Sequence, residues 1–233
     1  MNEVTYYPNF KEIPVPDYYL ELQANKVEIG MDFIFNQYAE SQGISVGALL
    51  TEEKVQSVTQ GKLTTVAEFK EETRALVKQV QAQAQFDDAI MMFIRTYLVE
   101  TAKYVVDAEA MDEYIQARRI EVQEQVAEQE MSMDTYLAEV FDLSEDKWST
   151  FQEVLEEEYI FQHVIAPQWF VDQGGDYSEI GYDAYIQHQV VHQGADELVV
   201  REALSYPKYV ENIGAMTYQA VMAAYFIPKI KWV

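Results

Sequence analysis

Residues 65–104 read TVAEFKEETRALVKQVQAQAQFDDAIMMFIRTYLVETAKY, and this stretch decides the fold class. It lies within a longer segment, 62–166, that contains neither glycine nor proline. The Gln, Glu, Ala, Leu and Met residues that fill the segment lose little conformational entropy in a helix. An all-β chain would need turn residues roughly every 8–12 positions. The segment therefore predicts several long helices, and the chain as a whole an all-α fold.

Capping residues predict where the helices begin. Thr65 and Glu68 have the spacing of a capping box. From Phe69, apolar residues recur with a period near that of a helix, as far as Tyr104. Asp107 is a good N-cap for the next helix. Two further helices are predicted to begin at Ser132 and Ser144, and the second of them to bend or end at Pro167. Three more are predicted at 182–192, 196–204 and 209–227, with Pro207 in the first turn of the last.

The first 60 residues have a different pattern. Pro8 and Pro14 favour an extended N-terminal segment. A helix is predicted from Asp17 to Ala39, followed by a loop at Gly43 and Gly47 and a short helix from Thr51. We therefore predict a single body over 1–233, divided into an extended segment (1–16), a helix and loop (17–60), long helices (62–171) and C-terminal helices (176–233).

Charge and composition exclude several classes of partner. The chain has 40 acidic and 16 basic residues, a formal net charge of −24. Such a surface repels nucleic-acid phosphates and anionic lipids, so we expect neither as a partner. A requirement for solubility explains the same charge equally well. Cysteine is absent, which excludes disulfides, thiolate metal sites and cysteine nucleophiles.

The length of the apolar segments predicts the cellular location of the protein. No apolar run approaches the roughly 20 residues that span a bilayer. The first 20 residues also lack the apolar core of a secretory signal. We therefore expect a cytoplasmic location, while a signal peptide removed earlier would make the protein extracytoplasmic.

Histidines are the only residues that suggest metal chemistry. His188 and His192 lie four positions apart and share a helix face, as zinc ligands do. However, Gln189 stands where the metalloprotease pattern requires glutamate. The natural third ligand, Asp196, lies beyond Gly194, which is expected to end the helix. We therefore predict no metal and no cofactor, with a metal-dependent enzyme as a minor alternative.

Other catalytic patterns are missing. The sequence contains no P-loop, no nucleophile elbow and no dinucleotide-binding glycine motif. Acidic residues such as Glu156, Glu157 and Glu158 are adjacent, and consecutive helical residues point in different directions, so they cannot act as a pair. His163 lies among aromatic residues and is expected to be partly buried. We predict that the protein is not an enzyme.

Apolar clusters suggest binding instead. The chain has 11 Phe, 17 Tyr and 9 Met, and flexible Met with amphipathic Tyr suits promiscuous contact surfaces. The same residues at helical spacing are also typical of a buried core. The candidate binding residues are Phe33, Phe35, Tyr38, Met91, Met92, Phe93, Tyr97, Met131, Met133 and Tyr136.

Several segments resemble a known family. The segments are MDEYI (111–115) and EMSMDTYLAEVFDLSEDKW (130–148), with LTTVAEFKEETR (63–74) and YPNFKEIPVPD (7–17) upstream. Their order and spacing resemble the C-terminal domain of trigger factor, a bacterial chaperone. In that family a long helix is followed by a Ser-x-x-x-Tyr-Leu turn and a capped second long helix. The ribosome-docking Gly-Phe-Arg-Gly type loop of the family is absent, and 42–65 leaves no room for its prolyl-isomerase domain.

The resemblance implies a fold and a function. The fold would be an arm-bearing, trigger-factor C-terminal-like body, similar also to extracytoplasmic chaperones of the SurA type. The function would be that of an ATP-independent holdase, which binds unfolded or partly folded polypeptides through apolar patches in a helical cradle. The alternative is a helical assembly or adaptor protein that docks one specific partner or self-associates as a homo-oligomer.

Overall fold

The computed structural model describes residues 2–141 and 147–233, and it is mostly helical, which confirms the all-α class. The strands are β1 (Glu3–Tyr6), β2 (Glu21–Leu22), β3 (Lys103–Val105) and β4 (Lys231–Trp232). The helices are α1 (Asn25–Ser41), α2 (Val46–Leu49), α3 (Glu52–Val58), α4 (Val66–Gln85), α5 (Met91–Thr101), α6 (Ala108–Glu128), α7 (Met133–Phe141), α8 (Lys147–Ile160), α9 (Ala166–Asp172), α10 (Glu179–Gln193), α11 (Glu197–Ala203) and α12 (Tyr206–Phe226). Two π-helical stretches, Phe86–Ile90 and Phe161–Ile165, follow α4 and α8.

The chain forms two compact units. The larger unit contains the chain up to Ile13 together with Phe93–Met222, and the smaller unit contains Pro14–Met92 and Ala223–Val233. Each unit has its own buried apolar core. That the chain acts as a single domain stays a prediction.

Most of the predicted helix starts are confirmed. Thr65 and Glu68 form a complete capping box at the start of α4. The side chain of Asp107 accepts a hydrogen bond from the Ala110 amide at the start of α6, and Ser132 caps α7 in the same way. Pro207 lies in the first turn of α12. The predicted cap at Ser144 lies outside the described residues.

Three predicted boundaries are wrong. The helix predicted from Asp17 begins only at Asn25, because Glu21 and Leu22 pair as a parallel strand with β4. The helix predicted to reach Tyr104 ends at Thr101, because Tyr104 lies opposite Val4 in the antiparallel β1–β3 pair. The loop predicted around Gly47 contains α2, whose first turn is capped by the hydroxyl of Ser45.

The N-terminal segment explains why the chain stays helical through Pro167. Proline has no N–H, so the carbonyl of His163, four residues earlier, loses its usual donor. The side-chain amide of Asn2 donates to that carbonyl at 3.0 Å. The other end of the same side chain accepts a hydrogen bond from the Asp107 amide at 2.8 Å. A π-helical stretch and α9 therefore continue α8 where a bend or an end was predicted.

In the larger unit, α6, α7 and α8 share a core. Its buried members are Ile115, Val122, Val126, Tyr136, Leu137, Phe151 and Leu155. Arg118 and Arg119 both join α6 to α8. Arg118 ion-pairs with Glu158 at 4.0 Å, while Arg119 lies over the Trp148 ring and donates to Gln152. We call the three helices α6, α7 and α8 together the α6–α8 hairpin.

A second group of buried side chains in the larger unit is aromatic. The Tyr218 ring is fully buried and stacks on Trp169 with 4.3 Å between ring centroids. Phe161 stacks near the same ring, and Phe10 meets it edge-on. These contacts hold the N-terminal segment against α9 and α12.

In the smaller unit, α1 packs against α4. Val27, Met31 and Phe35 of α1 are buried together with Val77 of α4. Gly30 allows the close approach of the two helices, since a Cβ atom there would lie 2.7 Å from Val77 Cγ1. The packing therefore places the opposite face of α1 in solvent.

Candidate functional site

The first candidate surface is a groove between α1 and α4, here called the α1–α4 groove. It is an open depression of about 360 Å³ lined by Lys26, Ile29, Gly30, Phe33 and Gln81. Ile29 and Phe33 are 64% and 63% exposed, although both are large apolar residues. Because they lie four positions apart, they occupy one helix face, and Gly30 lies beside them on the side that faces Val77 of α4. The groove thus offers apolar surface to a ligand without any rearrangement.

The second candidate surface lies in the larger unit, between α10, α11 and α12, and is called the α10–α12 groove. Its cavity measures about 530 Å³. Val199 of α11 and Met216 of α12 are exposed along it, and Lys208 is the one charged residue among those that line it. The lining residues are Tyr185, Gln189, Val199, Val200, Ala203, Leu204, Lys208, Asn212 and Met216.

The predicted binding residues divide into three groups by exposure. Phe35, Met91 and Tyr136 are buried. They belong to the core and not, as predicted, to a surface that a ligand could contact. Phe33 and Met92 are exposed, as contact with a ligand requires. The remaining five are half-buried: Tyr38, Phe93, Tyr97, Met131 and Met133.

Four of the five half-buried candidates have apolar or aromatic neighbours within the fold. Met131 and Met133 pack against the core of the α6–α8 hairpin. The rings of Phe93 and Tyr97 lie 6.3 Å apart on α5. Their remaining exposed edges are small compared with those of Phe33. Apart from Met92, which is exposed, the methionine clusters therefore offer little open surface.

Three large exposed apolar residues of the two grooves were missed by sequence reasoning: Ile29, Val199 and Met216. A signal existed for Ile29, because its spacing of four from Phe33 places both residues on one helix face. For Val199 and Met216 no such signal exists, because α11 and α12 are apolar on more than one face and only packing decides which face is covered.

The adjacent acidic residues on α8 have separate partners. Glu156 accepts a hydrogen bond from Gln152 at 2.8 Å, and Glu157 accepts one from the Thr96 hydroxyl at 2.9 Å. Glu158 faces Arg118. The three carboxylates therefore point in different directions, as the sequence predicted, and they form no acid–base pair.

His163 is a half-buried titratable group close to the N-terminal segment. Its ring lies 5.1 Å from both Tyr114 and Tyr159, and its Nε2 atom is buried without a hydrogen-bond partner. Burial lowers the pKa of His163, and this effect is opposed by the carboxylates of Glu211 and Glu158. The folded protein therefore favours the neutral imidazole, and the predicted partial burial is confirmed.

We expect His163 to make stability depend on pH. With a lowered folded pKa, the imidazole takes up its proton more readily in the unfolded chain, whose pKa is about 6.5. Its contribution is complete above that pH and is lost as the pH falls toward the folded pKa. Urea unfolding of the wild type and His163→Phe at pH 7.5 and 5.5 measures this. The wild type should lose more stability between the two values, and an equal loss in both proteins would contradict the expectation.

His188 and His192 project from α10 with 4.6 Å between their ring centroids, and both are exposed. The predicted third ligand, Asp196, instead caps α11 by accepting hydrogen bonds from the Leu198 and Val199 amides. Within the described ranges, no group of three or more His, Cys, Asp or Glu side chains could hold a metal ion. The two histidines therefore stand without a third protein ligand.

Two further findings do not concern a particular surface. Among the helices of the described chain, none is both long and apolar enough to cross a membrane. A comparison with protein-family profiles, curated proteins and solved structures found no match to this chain.

Proposed function

We propose that this protein is an ATP-independent chaperone that holds unfolded or partly folded polypeptides. The observation that carries the proposal is the α1–α4 groove, where Ile29 and Phe33 are more than half exposed on one helix face. Single exposed apolar residues are normal on protein surfaces. Two large ones that line one preformed groove favour a binding surface for apolar segments.

The α10–α12 groove supports the proposal from the larger unit. It presents exposed Val199 and Met216 beside polar side chains, so it suits short apolar segments rather than one defined partner. Two weak sites on one chain bind a long flexible polypeptide more tightly than either site alone. The net charge of −24 would keep such a loaded complex soluble.

The α6–α8 hairpin supports a trigger-factor C-terminal-like arrangement with a helical arm. A long helix, α6, is followed by the short α7 and then by α8, and the three share one apolar core. This order is the one that the family resemblance implies. We therefore propose that the hairpin serves as an arm that presents client segments, with no catalytic step.

Suppression of client aggregation tests the proposal. A chemically unfolded test protein is diluted into buffer without ATP, with and without an equimolar amount of this chain, and light scattering is followed. We expect the chain to reduce the scattering, because its grooves compete with client–client contacts. We expect Ile29→Ser/Phe33→Ser to lose roughly half or more of that effect, since it removes one of two sites.

A matched control uses exposed apolar residues outside the groove. Leu76→Ser/Val80→Ser removes two large apolar residues, four positions apart and in the same unit, which do not line the groove. This variant should suppress aggregation as the wild type does. Equal loss in both variants would argue against a specific groove. If the wild type did not suppress aggregation, the proposal would be wrong. An apparent molecular mass that rises with protein concentration would then favour the self-associating alternative.

A further inference from the structure

The two exposed histidines of α10 pack against each other on the surface of the helix. Within the described ranges, neither imidazole forms a hydrogen bond or an ion pair, and both side chains are exposed. They lie on the last two turns of a fifteen-residue helix that is capped by the Ser178 side chain at one end and by Gly194 at the other. The helix therefore holds the two rings side by side, facing solvent.

The spacing of the rings matches the coordination sphere of one metal ion. Imidazole nitrogens bind zinc-like ions at about 2.0–2.1 Å, so two nitrogens on one ion lie about 3 Å apart. Ring centroids 4.6 Å apart with a 43° tilt bring one nitrogen of each ring within reach of that separation after small side-chain rotations. We propose that His188 and His192 chelate one divalent transition-metal ion.

The donor set selects the class of metal. Two neutral imidazoles suit copper, nickel and zinc, whereas magnesium and calcium prefer oxygen ligands. Asp196 is engaged in capping α11, so water completes the coordination sphere. Because the protein imposes no geometry through further ligands, affinity should follow the Irving–Williams order, with Cu²⁺ bound most tightly.

The position of the site gives it a structural consequence. Gln189 lies between the two histidines in the sequence, and together with Tyr185 it lines the α10–α12 groove. An ion that joins His188 to His192 clamps this turn of α10. It also places a positive charge next to a groove on a chain with a net charge of −24. The metal site does not depend on the proposed chaperone function.

Isothermal titration of the full chain with Cu²⁺, Ni²⁺, Zn²⁺ and Mg²⁺ tests the site. We expect one Cu²⁺ per chain at micromolar concentration, weaker binding of Ni²⁺ and Zn²⁺, and no binding of Mg²⁺. His188→Gln and His192→Gln should each weaken Cu²⁺ binding by on the order of tenfold or more, because the second imidazole binds intramolecularly.

A matched variant moves one histidine without removing it. His192→Gln/Gln193→His keeps two histidines on α10 but places them five positions apart, on different helix faces. It should lose Cu²⁺ affinity as the single variants do, with an unchanged circular dichroism spectrum. Cu²⁺ binding that survives in this variant, or a wild type that binds Cu²⁺ no better than Mg²⁺, would overturn the proposal.

Discussion

Replacing Phe151 with alanine is expected to lower the free energy of unfolding by about 3–5 kcal/mol. The Phe151 side chain is fully buried at the centre of the α6–α8 hairpin and meets the Trp148 ring edge-on at 6.1 Å. Its removal leaves a cavity between the helices. The helices depend on this packing, because their intrinsic helix propensity alone does not make them stable. Urea unfolding, followed by circular dichroism and by tryptophan fluorescence, measures the loss.

The control for this prediction lies in the same hairpin. Ile120 on α6 is also a large apolar residue, but it is more than half exposed. Ile120→Ala should therefore change the free energy of unfolding by no more than about 0.5 kcal/mol. A similar loss in both variants would mean that Phe151 is not at the centre of the core.

Replacing Gly181 with alanine is expected to lower the free energy of unfolding by about 1–3 kcal/mol or more. A Cβ atom at this position in α10 would clash with the carbonyl oxygen of Asp176. That carbonyl cannot move away easily, because it accepts a hydrogen bond from the Tyr209 hydroxyl at 2.8 Å. The new methyl group would therefore displace the loop that caps α10. Thermal unfolding of the variant measures the effect.

At Gly47, replacement of glycine by alanine is expected to change the free energy of unfolding in the opposite direction. It lies within the short helix α2, and a Cβ atom there would meet no atom within 4 Å. Gly47→Ala should raise the free energy of unfolding by about 0.5–1 kcal/mol, because alanine loses less backbone entropy on folding. If both glycine variants shifted stability in the same direction, steric contact with Asp176 would not be the cause.

Local features of the fold could be predicted from the sequence. The caps at Thr65, Asp107 and Ser132 depend on groups only two or three residues away, so their chemistry can be recognised in any context. The absence of glycine and proline over 62–166 likewise predicted helices that the structure contains. The strands could not be predicted in this way, because β1 and β2 exist only through pairing with Lys103–Val105 and Lys231–Trp232, far along the chain.

The candidate site shows the same division. The sequence alone determined that His188 and His192 share a face of one helix, because the period of the α-helix is constant. Only the tertiary structure decided which face is covered. Phe35 is buried because α4 brings Phe69 within 5.9 Å of its ring, while Phe33 stays in solvent. Burial depends on what packs against a helix, and that is a property of contacts between segments distant in the chain.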